Sequence, residues 1–238
     1  DCDHVFKTRS DTEVLIHLYE ERGEDMLPQL DGMFAFAMAG PKGVLLARDP
    51  IGIKPLYYGR KGKMHIAASE LKVFPAMDEL HALPAGHAMM TGGDAWRFAP
   101  EFPPKPFLAD MPLPEVRQQI RRKLESAVQK RLMSDVPVGV YLSGGLDSSL
   151  VAAMMRPHTV ELHSFTAGMA DAPDLAMARS IAEFLDTKHH ELIYTADDVE
   201  AVLPDVIRCL ESFDAPLVRS AIPMYFLSKL AREHVKVI

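Results

Sequence analysis

The segment that most constrains the fold of this chain is Ser-Gly-Gly-Leu-Asp-Ser-Ser at 143–149, because its two flanks predict different secondary structures. Residues 136–142 are apolar and β-branched, which predicts a short buried strand, and the apolar run 150–155 predicts a helix. Adjacent glycines at a strand-to-helix turn let the backbone approach an oxygen-rich ligand, and the free N–H groups of the helix N-terminus then face that ligand. Serine hydroxyls add further donors. The segment therefore predicts a phosphate-binding loop.

This loop differs from a Walker-type nucleotide loop. The chain contains no G-x-x-x-x-G-K-[ST], so the lysine that reaches the outer phosphates is missing. Asp147 would repel a phosphate unless a cation lies between them, and Mg²⁺ accepts carboxylate and phosphate oxygens together. We therefore expect Asp147 to be a metal ligand. The whole string resembles the PP-loop signature of the ATP pyrophosphatases, which cleave ATP between its α and β phosphates, so the resemblance implies ATP and Mg²⁺ as cofactors.

Composition restricts the class of protein further. The 238 residues, 48% hydrophobic and 25% charged, are typical of a globular protein with one or two domains. A net charge of −7 disfavours nucleic acid as a partner, because phosphate backbones bind to basic surfaces. No apolar stretch approaches the ~18 residues that cross a bilayer. Two cysteines far apart in sequence, Cys2 and Cys209, predict no disulfide framework, and we therefore expect no membrane association and a cytoplasmic location.

The first half of the chain predicts a helix followed by an antiparallel sheet. Ser10 and Glu13 form a capping-box pattern before an amphipathic segment that ends near Gly23. Two hairpins are predicted next. The first joins 34–38 to 44–47 and the second joins 56–58 to 64–68.

The second half predicts a parallel sheet. A proline-rich stretch at 98–114 interrupts the periodicity and predicts a linker between domains at 1–97 and 115–238. Beyond it, the strand before the phosphate loop is followed by strands at 161–166 and 189–194 and by helices at 174–185, 198–210 and 222–233. This alternation predicts a ligand at the carboxyl ends of the strands. The expected fold class is thus α+β for the first domain and α/β for the second.

Several motifs occur in an order that resembles a known family. In the first half they are SDTEV at 10–14, LDGMFAF at 30–36, RDPIGIKPLYY at 48–58, ASELK at 68–72 and LPAG at 83–86. In the second half they are RLMSDVPVG at 131–139 leading into SGGLDSS, HSFT at 163–166 and ESFD at 211–214. They are similar to those of glutamine-hydrolysing asparagine synthetases of the bacterial class. The resemblance implies part of an αββα-type N-terminal-nucleophile glutaminase domain followed by part of a PP-loop adenylating domain.

The resemblance also implies roles for individual residues. Asp11 would bind the amino group of glutamine, Ala167 would contact adenine, and Arg219 would act near the aspartyl substrate. Asp147 would be catalytic as the Mg²⁺ ligand of pyrophosphate. The residues expected to bind ATP are Leu142, Ser143, Gly144, Gly145, Leu146, Asp147, Ser148, Ser149 and Ala167. The implied small-molecule partners are aspartate, glutamine and ATP, and the family is compatible with a homodimer.

Two departures from the family pattern concern the ends of the sequence. The family's nucleophile is a cysteine at the mature N-terminus followed by Gly-Ile, whereas Cys2 lies in Asp-Cys-Asp-His. The family also continues beyond a strand like 235–238 into a Ser-Gly-Glu-Gly-Ala-Asp-Glu loop. We therefore interpret the sequence as an internal fragment and expect the isolated chain to be inactive in both half-reactions.

Three alternatives remain open at this point. The first is a related amidotransferase that acts on another carboxylate, and the second is a PP-loop enzyme that modifies tRNA. The third is a non-catalytic family member. Two minor features favour ordinary packing over function: the spacing of His158, His163, His189 and His190 disfavours a metal site, and Cys209 is predicted to be inert.

Overall fold

The computed structural model describes residues 4–100 and 111–238. These residues divide into two compact units, and the division falls in the gap between the two ranges. Unit 1 comprises 4–100 and unit 2 comprises 111–238. Most of the predicted linker lies outside the described residues, and a helix has already begun at Leu113. The domain boundaries at 97 and 115 stay predictions.

Unit 1 contains two antiparallel sheets and one α-helix among its described residues. The elements are α1 (Asp11–Arg22), β1 (Ala35–Gly40), β2 (Gly43–Arg48), β3 (Tyr57–Lys61), β4 (Met64–Ala68), β5 (Glu79–Ala82), β6 (His87–Met90) and β7 (Trp96–Arg97). One sheet has the order β1-β2-β6-β7 and the other has the order β4-β3-β5. Both predicted hairpins are confirmed, since β1 pairs with β2 and β3 pairs with β4.

Alternation along β2 builds a core on each face of its sheet. Leu45 and Ala47 point to one side, where Leu18 of α1 packs against their cluster. Leu46 points to the other side, where Tyr58 of β3 packs against its cluster. The layers are therefore helix, four-stranded sheet and three-stranded sheet, which are three of the four layers of the αββα arrangement that the resemblance implies.

Unit 2 alternates strands and helices around a parallel sheet. The elements are α2 (Leu113–Arg131), β8 (Gly139–Tyr141), α3 (Leu146–Met155), β9 (His163–Gly168), α4 (Pro173–Leu185), β10 (Lys188–Ile193), α5 (Ala196–Leu210) and α6 (Ala215–Ala231). The sheet order is β10-β9-β8, and Val237 forms a parallel bridge with Val138 beside β8. The last residues of the chain thus extend the sheet on the side of β8 away from β9. The strand order reverses at β8, which places the ligand crevice of such a sheet at the carboxyl end of this strand.

Helices cover both faces of this sheet. Val140 and Leu142 pack with Ala152 of α3 and Ala178 of α4 on one face. Phe165 packs with α6 on the other face. Strands buried on both sides read as continuous apolar runs, which is why the segment before the phosphate loop lacks polar alternation. The predicted fold class, antiparallel α+β followed by parallel α/β, is confirmed. No helix among the described residues is both long enough and apolar enough to span a bilayer.

Two predicted helix boundaries were wrong. Helix α3 begins at Leu146, four positions before the predicted start, so the last four of the seven motif residues are helical. Helix α6 begins at Ala215 and not near 222, because the Asp214 side chain accepts a hydrogen bond from the Leu217 N–H and Pro216 occupies the first turn.

Candidate functional site

The phosphate loop directly follows the carboxyl end of β8. The Leu142 N–H donates to the Phe165 carbonyl at 2.8 Å, which extends the pairing of β8 with β9 by one residue. The Leu142 side chain is 1% exposed in the core, so only its backbone could meet a nucleotide. The chain then leaves the sheet at Ser143 and enters α3 at Leu146.

Gly144 gives the loop its shape. Its φ is +76°, a conformation that side chains with a Cβ rarely adopt, and a Cβ there would lie 2.7 Å from the Ala178 backbone nitrogen and 2.5 Å from Met177 Cβ. The loop therefore contacts the middle of α4 so closely that no methyl group fits between them. Gly145 has an ordinary φ of −71°, and a Cβ there would meet only the Ser143 hydroxyl oxygen at 3.3 Å.

Hydrogen bonds of two serine hydroxyls within the loop fix its conformation. The oxygens of Ser143 and Ser148 are 3.0 Å apart, and Ser148 Oγ also accepts the Ser143 N–H at 3.2 Å. Ser143 Oγ accepts the Gly145 N–H at 3.3 Å. These bonds preorganise the turn, which lowers the entropic cost of binding an anion.

The first turn of α3 has free donors at this loop. No side chain caps the helix, and no described residue accepts a hydrogen bond from the N–H groups of Leu146, Asp147 or Ser148. Leu146 is 75% exposed and Asp147 is also exposed, so the helix end is open to a ligand. Ser149 Oγ is buried and has no hydrogen-bond partner among the described residues. Because this oxygen is buried, it is not among the groups that face a ligand at the loop, and the expected role of Ser149 in ATP binding stays a prediction.

This arrangement fits Mg²⁺ together with a polyphosphate. The free N–H groups and hydroxyls suit phosphate oxygens, and Asp147, in the first turn, is an exposed carboxylate of the kind that Mg²⁺ binds. Ala167 lies near the carboxyl end of β9, the strand next to β8. Arg219 is exposed on α6, and the described residues provide no ion pair for it.

A second candidate site lies in unit 1. A cavity of about 620 Å³ brings together residues from four of the motifs noted in the sequence, among them Asp11, Asp31, Lys54 and Ser69. Asp11 is exposed at the first position of α1. Of these four residues, only Asp11 was expected from the sequence to bind a ligand. Lys54 and Ser69 were missed because their motifs give no reason from spacing alone for them to meet Asp11.

The capping box predicted at α1 is wrong in one half. Ser10 does cap the helix, with its hydroxyl accepting the Thr12 N–H at 3.2 Å. Glu13, however, reaches further back and accepts the Lys7 and Thr8 N–H groups, each at 2.7 Å, as well as the Thr8 hydroxyl. The Lys7 N–H, the Thr8 hydroxyl and further hydrogen bonds lower the pKa of Glu13 to about 2. Asp11 takes no part in the cap, although its Oδ1 accepts a hydrogen bond from the Thr12 hydroxyl at 3.4 Å, and its role in binding glutamine stays a prediction.

The side chains of two neighbouring residues, Arg48 and Asp49, hold the loop that carries Lys54. The Asp49 carboxylate is 1% exposed and accepts four backbone N–H groups, those of residues 51–54, at 2.7–3.1 Å. Arg48 donates to the Lys54, Gly52 and Leu83 carbonyls at 2.8–2.9 Å. Burial of Asp49 opposes ionisation, but the four N–H donors outweigh it, so its pKa lies below 3.8.

One alignment in unit 2 looks like a catalytic triad but is structural. Ser164 Oγ lies 2.8 Å from His189 Nδ1, and His189 Nε2 lies 3.4 Å from a Glu191 oxygen. Ser164 is fully buried, so no substrate reaches its hydroxyl. Burial lowers the pKa of His189, and Arg179 binds Glu191 through two hydrogen bonds at 2.7 and 2.6 Å.

Cys209, which the sequence predicted to be packed, is exposed.

The described chain thus combines an antiparallel unit that has a polar cavity with a doubly covered α/β unit that has a phosphate-type loop. The family model for asparagine synthase matches residues 119–238, and a model for a glutamine amidotransferase domain matches residues 1–76. The first match covers half of the sequence, and the chain belongs to the asparagine synthase family. The resemblance seen in the motifs is confirmed at the level of the family, whereas the bacterial class stays a prediction.

Curated relatives match across both units. A probable glutamine-hydrolysing asparagine synthetase of Dictyostelium discoideum is 38% identical, with 95% of this chain and 44% of the relative covered. Glutamine-hydrolysing asparagine synthetase 2 of rice (Oryza sativa subsp. japonica) is also 38% identical, with coverage of 95% and 40%. The chain thus spans less than half the length of these relatives. Among solved structures, an NH3-dependent NAD synthetase from Campylobacter jejuni matches with a TM-score of 0.36 and 21% identity. The match covers 49% of this chain and 51% of that synthetase chain, and it is too distant to support an argument.

Proposed function

We propose that this chain forms part of a glutamine-dependent asparagine synthetase, in which unit 2 contributes to aspartate activation and unit 1 to glutamine hydrolysis. The observation that carries the proposal is the phosphate loop itself. It has free N–H groups at the start of α3 and an exposed carboxylate at Asp147. A Walker lysine is absent from the sequence, which agrees with cleavage between the α and β phosphates.

The proposed activation step uses the loop as an electrostatic clamp. The β-carboxylate oxygen of aspartate attacks the α-phosphorus of ATP, a new P–O bond forms, and the bond to the β-phosphate breaks to release pyrophosphate. The N–H groups of Leu146, Asp147 and Ser148 bind oxygens of the leaving pyrophosphate, where negative charge grows. Asp147 would hold Mg²⁺, which would supply positive charge to neutralise the phosphate oxygens. Gly144 and the serine network keep these donors in place before the reaction.

The second step forms the amide. Ammonia attacks the activated carboxyl carbon, AMP leaves with the bonding electron pair, and the surplus proton passes to solvent. Arg219 is exposed on α6 and is assigned to the aspartyl substrate by the resemblance. Ala167 would contact adenine from the neighbouring strand.

The cavity of unit 1 suits a free amino acid. Asp11 offers a carboxylate to an α-amino group, and Lys54 offers an ammonium group to an α-carboxylate, so the two complement the zwitterionic end of glutamine. Asp49 and Arg48 position Lys54 through its backbone. A homodimer, a cytoplasmic location and the absence of nucleic-acid partners accompany this proposal as predictions.

Analysis of the nucleotide products tests the proposal. The full-length synthetase is incubated with ATP, Mg²⁺, aspartate and ammonium, and the products are separated by chromatography. We expect AMP and pyrophosphate in equal amounts, formed only when aspartate is present. ADP as the main product would refute the adenylation chemistry, and pyrophosphate release that another carboxylate or a tRNA stimulates in place of aspartate would favour one of the alternative enzymes.

A further inference from the structure

Three histidines of unit 2 converge at the end of the sheet opposite the phosphate loop. His163 begins β9, His190 lies on β10, and His234 follows α6. One ring nitrogen from each lies within 4.8 Å of the other two. The rings lie near the fully buried Phe165 ring, with centroids 5.0 to 6.3 Å from it. Sequence spacing pointed away from a metal site, because these residues come from three separate elements and meet only in the fold.

Glu161 sets the tautomer of His163. Its carboxylate is held at 2.5 Å by the Lys188 ammonium and lies 2.9 Å from His163 Nε2. A carboxylate paired in this way accepts a hydrogen bond, so Nε2 carries the proton and Nδ1 presents a lone pair to the other two histidines. A carboxylate bound to the outer nitrogen of a histidine is the usual support of a metal ligand, since it sets the tautomer and makes the ring more basic.

The spacing inside the cluster is close to that of a metal site. His163 Nδ1 and His190 Nε2 are 3.0 Å apart, and their rings are within 6° of parallel. In the metal-free cluster this pair shares one proton. Zinc binds imidazole nitrogens at about 2.0–2.1 Å in a tetrahedron, which places two ligand nitrogens roughly 3.3 Å apart. To replace the shared proton by a metal, the two nitrogens need to move apart by only a few tenths of an ångström. The rings would also have to tilt so that they are no longer parallel and both nitrogens face the ion.

The third ligand has the freedom to adapt. His234 is exposed, and its ring stacks on His190 with centroids 3.8 Å apart. Rotation about its side-chain bonds turns a nitrogen toward the other two. The residue after it, Val235, is 4% exposed in the core, so the backbone that carries His234 is anchored.

We propose that His163, His190 and His234 form a transition-metal site, with Zn²⁺ as the expected ion and water as the fourth ligand. Imidazole ligands suit zinc and its neighbours and disfavour Mg²⁺ and Ca²⁺, which prefer oxygen. A bound ion would fasten the turn after α6 to β9 and β10. It would thereby stabilise the last residues of the chain, which pair beside β8 through Val237. This site is independent of the proposed nucleotide chemistry.

Metal titration of the EDTA-treated 238-residue chain tests this inference. Binding of Zn²⁺ is measured by calorimetry, and the geometry by the visible absorption of Co²⁺ in its place. We expect one tetrahedral site that H234Q weakens by more than about 100-fold and that the outer-sphere variant E161Q weakens by about 10- to 100-fold. Zinc should raise the unfolding temperature of the wild type by a few degrees and leave that of H234Q unchanged.

A second histidine cluster provides the matched control. His4, His17 and Glu20 form another group of possible ligands in unit 1, so H17Q removes a histidine without touching the proposed site. The inference requires H17Q to keep the tetrahedral site. Loss of the site in H17Q but not in H234Q, or no zinc binding by the wild type, would overturn it. H234Q removes an exposed side chain, so a circular dichroism spectrum equal to that of the wild type in EDTA establishes that the variant is folded.

Discussion

At the scale of single residues, Gly144 and Gly145 are neighbours with different reasons to be glycine. Gly144 combines a left-handed φ of +76° with backbone atoms of α4 at 2.7 Å from the position of a Cβ. Gly145 has neither constraint, and its exposure on the loop suits a close approach to phosphate. The sequence alone presents them as an equivalent pair, because the atoms that distinguish them belong to a helix some 30 residues further along the chain.

Substitution by alanine should separate the two roles. We expect Gly144→Ala to destabilise unit 2 by roughly 2–4 kcal/mol, because both the backbone strain and the clash act at once. Gly145→Ala should change the free energy of unfolding by less than about 1 kcal/mol. Urea unfolding followed by circular dichroism measures both, and equal stabilities for the two variants would contradict this assignment. Trp96, the single tryptophan, lies in unit 1 and reports separately that this unit is unaffected.

At the scale of elements, the loop from Asp49 to Lys54 depends on an ionised carboxylate. The pKa of Asp49 is lower in the folded chain than its ordinary value of 3.8. A lowered pKa means that the carboxylate contributes stability above about pH 4 and that this contribution is lost as the pH falls through the folded value. Asp49→Asn should therefore destabilise unit 1 by about 2–3 kcal/mol at pH 7, since it removes the charge and turns an amide N–H toward a backbone donor.

The pH dependence identifies the cause of that loss. The difference in unfolding free energy between the wild type and Asp49→Asn, measured by Trp96 fluorescence in urea, should stay constant from about pH 7 to about pH 4 and shrink as the pH falls further toward the folded pKa of Asp49. The exposed Asp94 provides the control, because no hydrogen bond of its side chain is seen in the described structure, and Asp94→Asn should have a small effect at every pH. A difference that stays constant below about pH 4 as well would mean that the shape of the side chain, and not its charge, holds the loop.

Some of these elements could be predicted from the sequence and others could not. Apolar runs and turn residues predicted the hairpins and the βαβ alternation, because these signals are local. The capping box at α1 was predicted with the wrong partner for Glu13, since three donors in the preceding loop compete with the single N–H at Ser10. Strand β6 was missed because its four residues become a strand only by pairing with β2 in the middle of a sheet.

At the scale of the whole molecule, the candidate sites also differ in how far the sequence could predict them. The phosphate loop is one continuous segment, so its residues were all predicted from sequence. The cavity of unit 1 and the histidine cluster of unit 2 are each assembled from residues far apart in the chain, and only the first was anticipated in part, through the resemblance of Asp11 to a ligand residue. Contacts that arise from chain topology leave no periodic signal in the sequence.

The last prediction follows from the roles proposed for the two units and concerns the full-length protein. Asp11→Asn removes the charge that would bind the α-amino group of glutamine, so we expect KM for glutamine to rise about 10- to 100-fold. Asparagine formation from ammonium should be unchanged, because unit 2 alone is proposed to contribute to activation.

Asp147→Asn should instead lower asparagine formation from both nitrogen sources, on the order of 100-fold, because the amide is a poor Mg²⁺ ligand. Asparagine is quantified by chromatography with glutamine or ammonium as the nitrogen source, and the hydrolysis of glutamine is followed as glutamate release. If Asp147→Asn kept normal synthesis from ammonium, Asp147 would be a structural residue of the loop. If Asp11→Asn impaired synthesis from ammonium as strongly as synthesis from glutamine, the cavity of unit 1 would not be a glutamine site.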